Sequence, residues 1–365
     1  MPAGGAVGTD GGRDDSAGVE LSFGWSVVRT PALAALLLLV VLGVAEWAVR
    51  LPAVREPLLH PSVGARIREF DLQLMRLADH AAAGPLDYLV LGASVVSSGV
   101  DPRALEAAHR ARSGQALRGY AFGIPALTTE AAAVLASIVV DAHQPSLLVY
   151  AFTARAFQAP GAKRQRDPTL EVPWVRYRMG ERSFEGWLVE HSAAYRQLLP
   201  YRHLLKARAW EQLLVHERRP HVAGFTPNDR IAPPDPQPGR VPDHALLGVV
   251  EAPTPPQPDL ASLAALVRVR QQGVDVVLLE MPIHPQTSAF FRYAERDLTT
   301  VRARVREFAD ARDIPFWPAT EPGLIPEHGW SDIGHLNTTG AAAFSAWLGE
   351  RLATEPRLGR SPTDP

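Results

Sequence analysis

Short apolar runs alternate with helix-forming stretches along most of this chain, and that alternation restricts its fold more than any other feature. Residues 87–91, 117–122, 147–152, 274–281 and 314–317 read as five strands. Between them lie helical patterns with clear start signals. Asp101-Pro102 places a capping carboxylate before a proline at the first helical position, and Thr128 caps a helix reaching about Ala142, with Glu130 in its first turn. Residues 258–272, 288–312 and 338–353 carry the other helical patterns. The strands are apolar along their length, as strands buried on both faces must be, so a parallel sheet covered on both sides is expected. The fold class is α/β: a three-layer α/β/α domain with five parallel strands in flavodoxin-like order.

Two short motifs fall at the edge where such sheets place ligands, outside the carboxyl ends of the strands. Tyr88-Leu-Val-Leu-Gly-Ala-Ser94 puts a hydroxyl just after the first strand, and Asp332-Ile-Gly-His335-Leu-Asn-Thr-Thr-Gly340 puts a carboxylate and an imidazole after the fifth. A nucleophile, a base and a group orienting the base are what acyl transfer through serine requires. The Asp332–His335 spacing lets the carboxylate accept from Nδ1, leaving Nε2 for Ser94. Gly334 and Gly340 are expected to let this loop bend tightly, and Asn337 to cap the last helix. A lone serine in a turn is usually structural; the two motifs on one sheet edge make the case jointly. Val96 stands where Gly-x-Ser-x-Gly needs its second glycine, which argues against an α/β-hydrolase.

Gly92-Ala-Ser94, Gly99-Val-Asp-Pro102 and Asp332-x-x-His335-Leu-Asn-x-x-Gly340 together resemble the SGNH/GDSL hydrolase superfamily, and within it the membrane-anchored branch of lipoteichoic acid D-alanylation and polysaccharide O-acetylation proteins. The likeness covers about residues 85–155 and 258–353. It implies Ser94 as nucleophile, His335 as base and Asp332 as its orienter. It also implies an oxyanion hole from the serine N–H, a glycine N–H after the second strand and an asparagine after the third. Here Gly123 is followed by Ile-Pro-Ala126, with alanine at the glycine position, and Phe152-Thr-Ala-Arg155 has no asparagine; Thr153 is the substitute at that place. Loss of one oxyanion donor typically costs about 10²–10³ in rate. Arg155 and His284 are expected as substrate contacts, the bland alternatives being a solvated charge and a packed imidazole. The substrate implied is an acylated or acyl-accepting envelope polysaccharide, with a multispanning membrane acyltransferase as a further partner.

The N-terminus adds a membrane. Residues 1–29 read as a disordered Gly- and Asp-rich tail, and residues 30–45 carry no charge. Extended to residue 50, this is about the length that spans a bilayer, with Trp25 and Trp47 as flanking aromatics and Arg29 and Arg50 placed to snorkel. Gly43-Val-Ala45 also has the form of a signal-peptidase site, so a cleaved signal is the alternative; a buried core helix is the other. Positive-inside taken alone favours a cytoplasmic catalytic domain, because Arg50, Arg55, Arg66 and Arg68 follow the segment. The resemblance implies the opposite: a single-pass protein of the cell membrane with its catalytic domain outside the cytoplasm. A juxtamembrane helical segment (51–84), the catalytic domain (85–355) and a disordered tail (356–365) complete the chain. Residues 156–256 interrupt the domain as an insertion with basic, helical (183–216) and Pro-rich parts. It reads either as a lid, platform or membrane-facing surface, or as a solvated helical pair with a disordered loop.

The net charge of −2 gives no reason to expect nucleic acid. The absence of cysteine removes disulfides, zinc–thiolate sites and cysteine nucleophiles. The 12 histidines show no metal-ligand spacing beyond the Asp332–His335 pair, so no metal and no cofactor is expected. An SGNH-type serine esterase or O-acyltransferase is the leading expectation. A non-catalytic adaptor of a membrane acyltransferase complex and a lipid esterase remain as alternatives, the last favoured if the insertion has an apolar outer face.

Overall fold

The computed structural model describes residues 25–51, 53–54, 66–153, 167–199, 221–232, 258–285 and 294–355. Arg155, the basic run at 163–166, much of the Pro-rich stretch and the two expected tails lie outside them, apart from residues 25–29. The chain divides into two units, 1–48 and 49–365.

The first unit holds helix α1 (Trp25–Ala48). Its stretch Thr30–Ala48 has a mean hydropathy of 2.1 and none of it is buried. A helix of 24 residues is about 36 Å long, more than the roughly 30 Å hydrocarbon core of a bilayer. Among the described residues this is the one helix long and apolar enough to cross a membrane.

The second unit is built on a five-stranded sheet. Its elements in chain order are α2 (Arg66–Ala82), β1 (Tyr88–Gly92), α3 (Ser94–Gly99), α4 (Pro102–Ser113), β2 (Gly119–Gly123), α5 (Thr129–His143), β3 (Leu147–Phe152), α6 (Pro173–Arg178), α7 (Phe184–His191), α8 (Ala193–Leu198), α9 (Leu260–Leu266), β4 (Asp275–Glu280), α10 (Ala294–Asp310), β5 (Phe316–Pro318) and α11 (Thr338–Thr354). The strand order is β2-β1-β3-β4-β5 and every pairing is parallel. Successive side chains of a strand point to opposite faces, and the core divides accordingly. Leu89, Leu91, Phe122, Leu148 and Leu278 join Leu135 of α5, Leu263 of α9 and Val305 of α10 in one cluster. Tyr88, Val90, Val149 and Val277 join Val96 of α3, Leu105 of α4 and Phe344 of α11 in the other.

The expected caps are present. Asp101 accepts from the Arg103 N–H at 2.9 Å and Thr128 from the Ala131 N–H at 3.2 Å. Strand ends shift where a neighbouring turn claims the backbone. β5 starts at Phe316 rather than 314, because Asp313 is left-handed (φ 51°) and the Ile314 N–H closes the end of α10 on Ala309. The helix expected over 258–272 breaks into α9 and a 3-10 stretch, Val267–Gln272, stopped by Gly273 at φ 82°. The juxtamembrane segment holds α2, whose Phe70, Leu74 and Leu77 lie in the sheet's own core cluster. α10 is described from Ala294, so residues 288–293 of its expected span lie outside the described set.

Candidate active site

Ser94 owes its position to two glycines. A side chain on Gly92, the last residue of β1, would place its Cβ 2.2 Å from the Ala151 carbonyl oxygen of β3. One on Gly123, the last residue of β2, would meet the Ser97 nitrogen at 2.3 Å. Glycine at both places lets α3 start at the sheet edge and lie directly over β2. Ala93 stays extended, and Ser94 becomes the first residue of the helix, where backbone N–H groups have no intrahelical partner. The Ser97 and Ser98 hydroxyls both donate to the Ser94 carbonyl at 3.0 Å.

The loop after β5 folds on its own carboxylate. Asp332 Oδ1 accepts from the Gly334 N–H at 2.7 Å and the His335 N–H at 2.9 Å, a side-chain-mediated turn of the kind aspartate favours. The Ser331 N–H donates to the His335 carbonyl at 2.9 Å, and Trp330 bridges Leu336. This folding turns the imidazole back, so that Nδ1 lies 3.0 Å from both Asp332 oxygens and Nε2 lies 2.9 Å from Ser94 Oγ. An ionised carboxylate only accepts, so Nδ1 carries the proton and Nε2 accepts from the serine hydroxyl. Residues 241 positions apart are thereby in hydrogen-bond contact.

Burial alone would raise the Asp332 carboxyl. The hydrogen bond and charge of His335, with the two backbone N–H groups, outweigh it and hold the group below its ordinary value. The His335 imidazole is therefore oriented by an ionised partner. Ser94 is half-buried and Asp332 is exposed. His284, after β4, joins the site: its ring meets Trp330 edge-on at 5.0 Å. Burial lowers its pKa, with the Asp332 charge opposing. Thr153 follows β3 on the same edge and is half-buried.

Ala126 sits at φ 53°, the left-handed region where glycine is favoured. The turn Ile124-Pro125-Ala126-Leu127 closes through the Leu127 N–H on the Ile124 carbonyl at 3.2 Å. Proline followed by a positive φ is the type II pattern. The backbone shape of a glycine position thus survives in an alanine, at a cost of about 1 kcal/mol. Ala126→Gly is expected to raise stability by about 1 kcal/mol and the melting temperature by about 1–2 °C. Thermal unfolding followed by circular dichroism tests this, and an unchanged or lower midpoint would contradict it.

Two expectations about glycine need correcting. Gly340 does not bend the loop. It lies in the first turn of α11, where an added Cβ would fall 2.0 Å from the Gly329 carbonyl oxygen. It is needed for close approach of two backbones. Gly334 has no positive φ, and its added Cβ would meet only Asp332 Oδ1, at 3.5 Å. The loop bends through the Asp332 carboxylate instead. Asn337 caps α11 as expected, accepting from the Gly340 N–H at 3.1 Å, and it also donates to the His328 carbonyl at 2.6 Å.

The insertion supplies contacts that sequence reasoning missed. Buried Asp167 accepts from the Thr128 N–H at 3.0 Å and so fixes the end of the Ala126 turn. Its Asp167-Pro168 signature is the same as Asp101-Pro102 and marked a capped turn in plain view. Residues 221–232 run as a strap. The Thr226 N–H donates to Ser97 O at 2.7 Å, the Thr338 N–H to Asn228 O at 2.9 Å and the Ala232 N–H to Trp330 O at 2.7 Å. One strap thus joins the helix of Ser94 to the residues on either side of His335. Its Gly224, at φ 88°, lies where a Cβ would fall 2.0 Å from Ala121 O. Residues 200–220 and 233–257, which hold much of the expected helical and Pro-rich parts, lie outside the described residues. Among the described residues, no group of three histidine or carboxylate side chains is arranged to hold a metal ion.

No family model matches this chain and no curated protein is similar to it at a significant level, so the Ser94–His335–Asp332 arrangement is judged on its own geometry.

Proposed function

We propose that this protein is a membrane-anchored serine esterase or O-acyltransferase of the SGNH type, acting through an acyl-serine intermediate. The observation that carries the reading is the continuous chain Ser94 Oγ–His335 Nε2 at 2.9 Å and His335 Nδ1–Asp332 at 3.0 Å, on the ligand-binding edge of a parallel sheet. The strand order 2-1-3-4-5 and the core clusters on both faces support reading the domain as a three-layer, flavodoxin-like one.

In the mechanism that follows, Ser94 Oγ attacks an ester carbonyl while His335 Nε2 takes its proton. Asp332 stabilises the imidazolium without accepting that proton. The N–H at the start of α3 and the Ala126 turn, whose Ile124 N–H donates to the Gly92 carbonyl at 2.9 Å, are the candidate oxyanion donors. The imidazolium then protonates the leaving alcohol, giving the acyl-serine. Water or a sugar hydroxyl loses its proton to His335 and attacks, restoring the serine. The substrate is an acylated or acyl-accepting envelope glycan, met outside the cytoplasm. A lipid ester is the second reading, favoured by the exposed Phe184 and Trp187 on the insertion.

The test is labelling of the full-length chain in mild detergent with a fluorophosphonate, beside Ser94→Ala. Labelling of the wild type that disappears in the variant is expected. A folded wild type that stays unlabelled would overturn catalysis by Ser94 alone and favour the adaptor.

A further inference from the structure

The described part of the insertion carries an apolar patch on its outside. Phe184 and Trp187, one turn apart on α7, are 75% and 45% exposed, and their rings stack at 6.0 Å and 13°. Met179, in the turn before α7, is 46% exposed. Single exposed apolar side chains are ordinary, but a stacked aromatic pair with a neighbouring methionine is the composition of an interaction surface. Of the nearby basic groups, Arg176 donates to Glu181 at 2.7 Å and Arg178 pairs with Glu190 at 2.9 Å and with Asp141, while Arg182 is exposed. The surface is therefore aromatic, with one exposed arginine beside it.

Its neighbourhood in the chain names the partner. The 17 residues between α1 and α2 span at most about 60 Å. If α1 crosses a bilayer, that bilayer is always within tether reach, and a lipid surface is at high effective concentration. Tryptophan and phenylalanine side chains favour the headgroup boundary. The geometry points to the Phe184–Trp187 face of α7 as a second membrane contact, seated in the interfacial layer of the bilayer that holds α1. The contact is made by aromatic burial, with the exposed Arg182 beside it placed to face the headgroups. Docking of this kind rests on the reading of α1 as a span.

The chain has no cysteine, so one can be introduced without background. The full-length Phe184→Cys protein, spin-labelled and reconstituted in phosphatidylcholine nanodiscs at one copy per disc, is compared with Arg110→Cys at an exposed position of α4. Collision rates with oxygen and with a water-soluble nickel chelate give the depth of each label. Oxygen is expected to dominate at 184 and the nickel chelate at 110. A label at 184 that is as wet as the one at 110, in chain that stays with the discs, overturns the docking surface and leaves the anchor intact. Chain that separates from the discs overturns the anchor reading and the docking together. A label at 184 that is shielded from both oxygen and the nickel chelate in the discs assigns the patch to a protein contact and also overturns the proposal.

Discussion

His335→Ala is expected to slow acyl-serine formation at Ser94 by about 10⁴-fold or more, with the fold intact. Nε2 accepts from Ser94 Oγ at 2.9 Å, and without it the hydroxyl keeps its proton. The imidazole is 36% exposed, so its truncation leaves no large cavity. Asp332→Asn is expected to cost about 10³–10⁴-fold by a different route, since an amide no longer enforces the Nδ1–H tautomer. The pH dependence follows from the same contact. The Asp332 carboxyl lies below its ordinary value in the folded protein, so its contribution to base orientation and to stability is fully present above the ordinary carboxylate range. That contribution is lost only as pH falls through the lowered folded value. Time courses of fluorophosphonate labelling across pH, with circular dichroism as the folding control, read these effects. Wild-type labelling rates in His335→Ala would remove histidine as the base.

Gly123→Ala is expected to reduce the same labelling rate by about 10²-fold and to destabilise the domain by about 1–3 kcal/mol. The new Cβ would lie 2.3 Å from the Ser97 nitrogen and 2.8 Å from its Cβ. The obstructing atoms belong to the backbone of α3, so relief requires the whole six-residue helix to move, and Ser94 with it. A displacement near 1 Å breaks the alignment with His335 Nε2. Gly334→Ala is the matched control in the acid–base loop. Its Cβ would meet only Asp332 Oδ1 at 3.5 Å, and its N–H still donates to the carboxylate. A change within about 0.5 kcal/mol and a near-normal rate are expected there. If the two alanines proved equally damaging, the rigid seating of α3 on β2 would not be what places the nucleophile.

The strands, the capped helices and the apolar helix α1 were legible because each depends on residues close together in sequence. Continuous apolar runs such as Leu147–Phe152 can be buried only on both faces, and that specifies a parallel sheet. Asp101-Pro102, Thr128 and Asn337 cap helices through bonds spanning two or three residues, so their chemistry is local. Ends of elements were less legible, as at β5, where the left-handed Asp313 extends the turn of α10.

The candidate site was legible in part for the same reason. Asp332 and His335 are three residues apart, and the carboxylate that binds both Nδ1 and the loop's own N–H groups is a short-range feature. The sequence by itself determined Ser94, His335 and Asp332 as the candidate residues, and the sheet edge on which they meet. Only the tertiary structure decided how that edge is held. Ala126 in a glycine's conformation, Gly123 beneath α3, Gly340 against Gly329, His284 on Trp330, and Asp167 and the 221–232 strap on the site loops are contacts between segments far apart in the chain. Close approach and backbone hydrogen bonding between such segments leave no periodic trace in composition or spacing, because they depend on where two surfaces meet and not on what either segment forms alone.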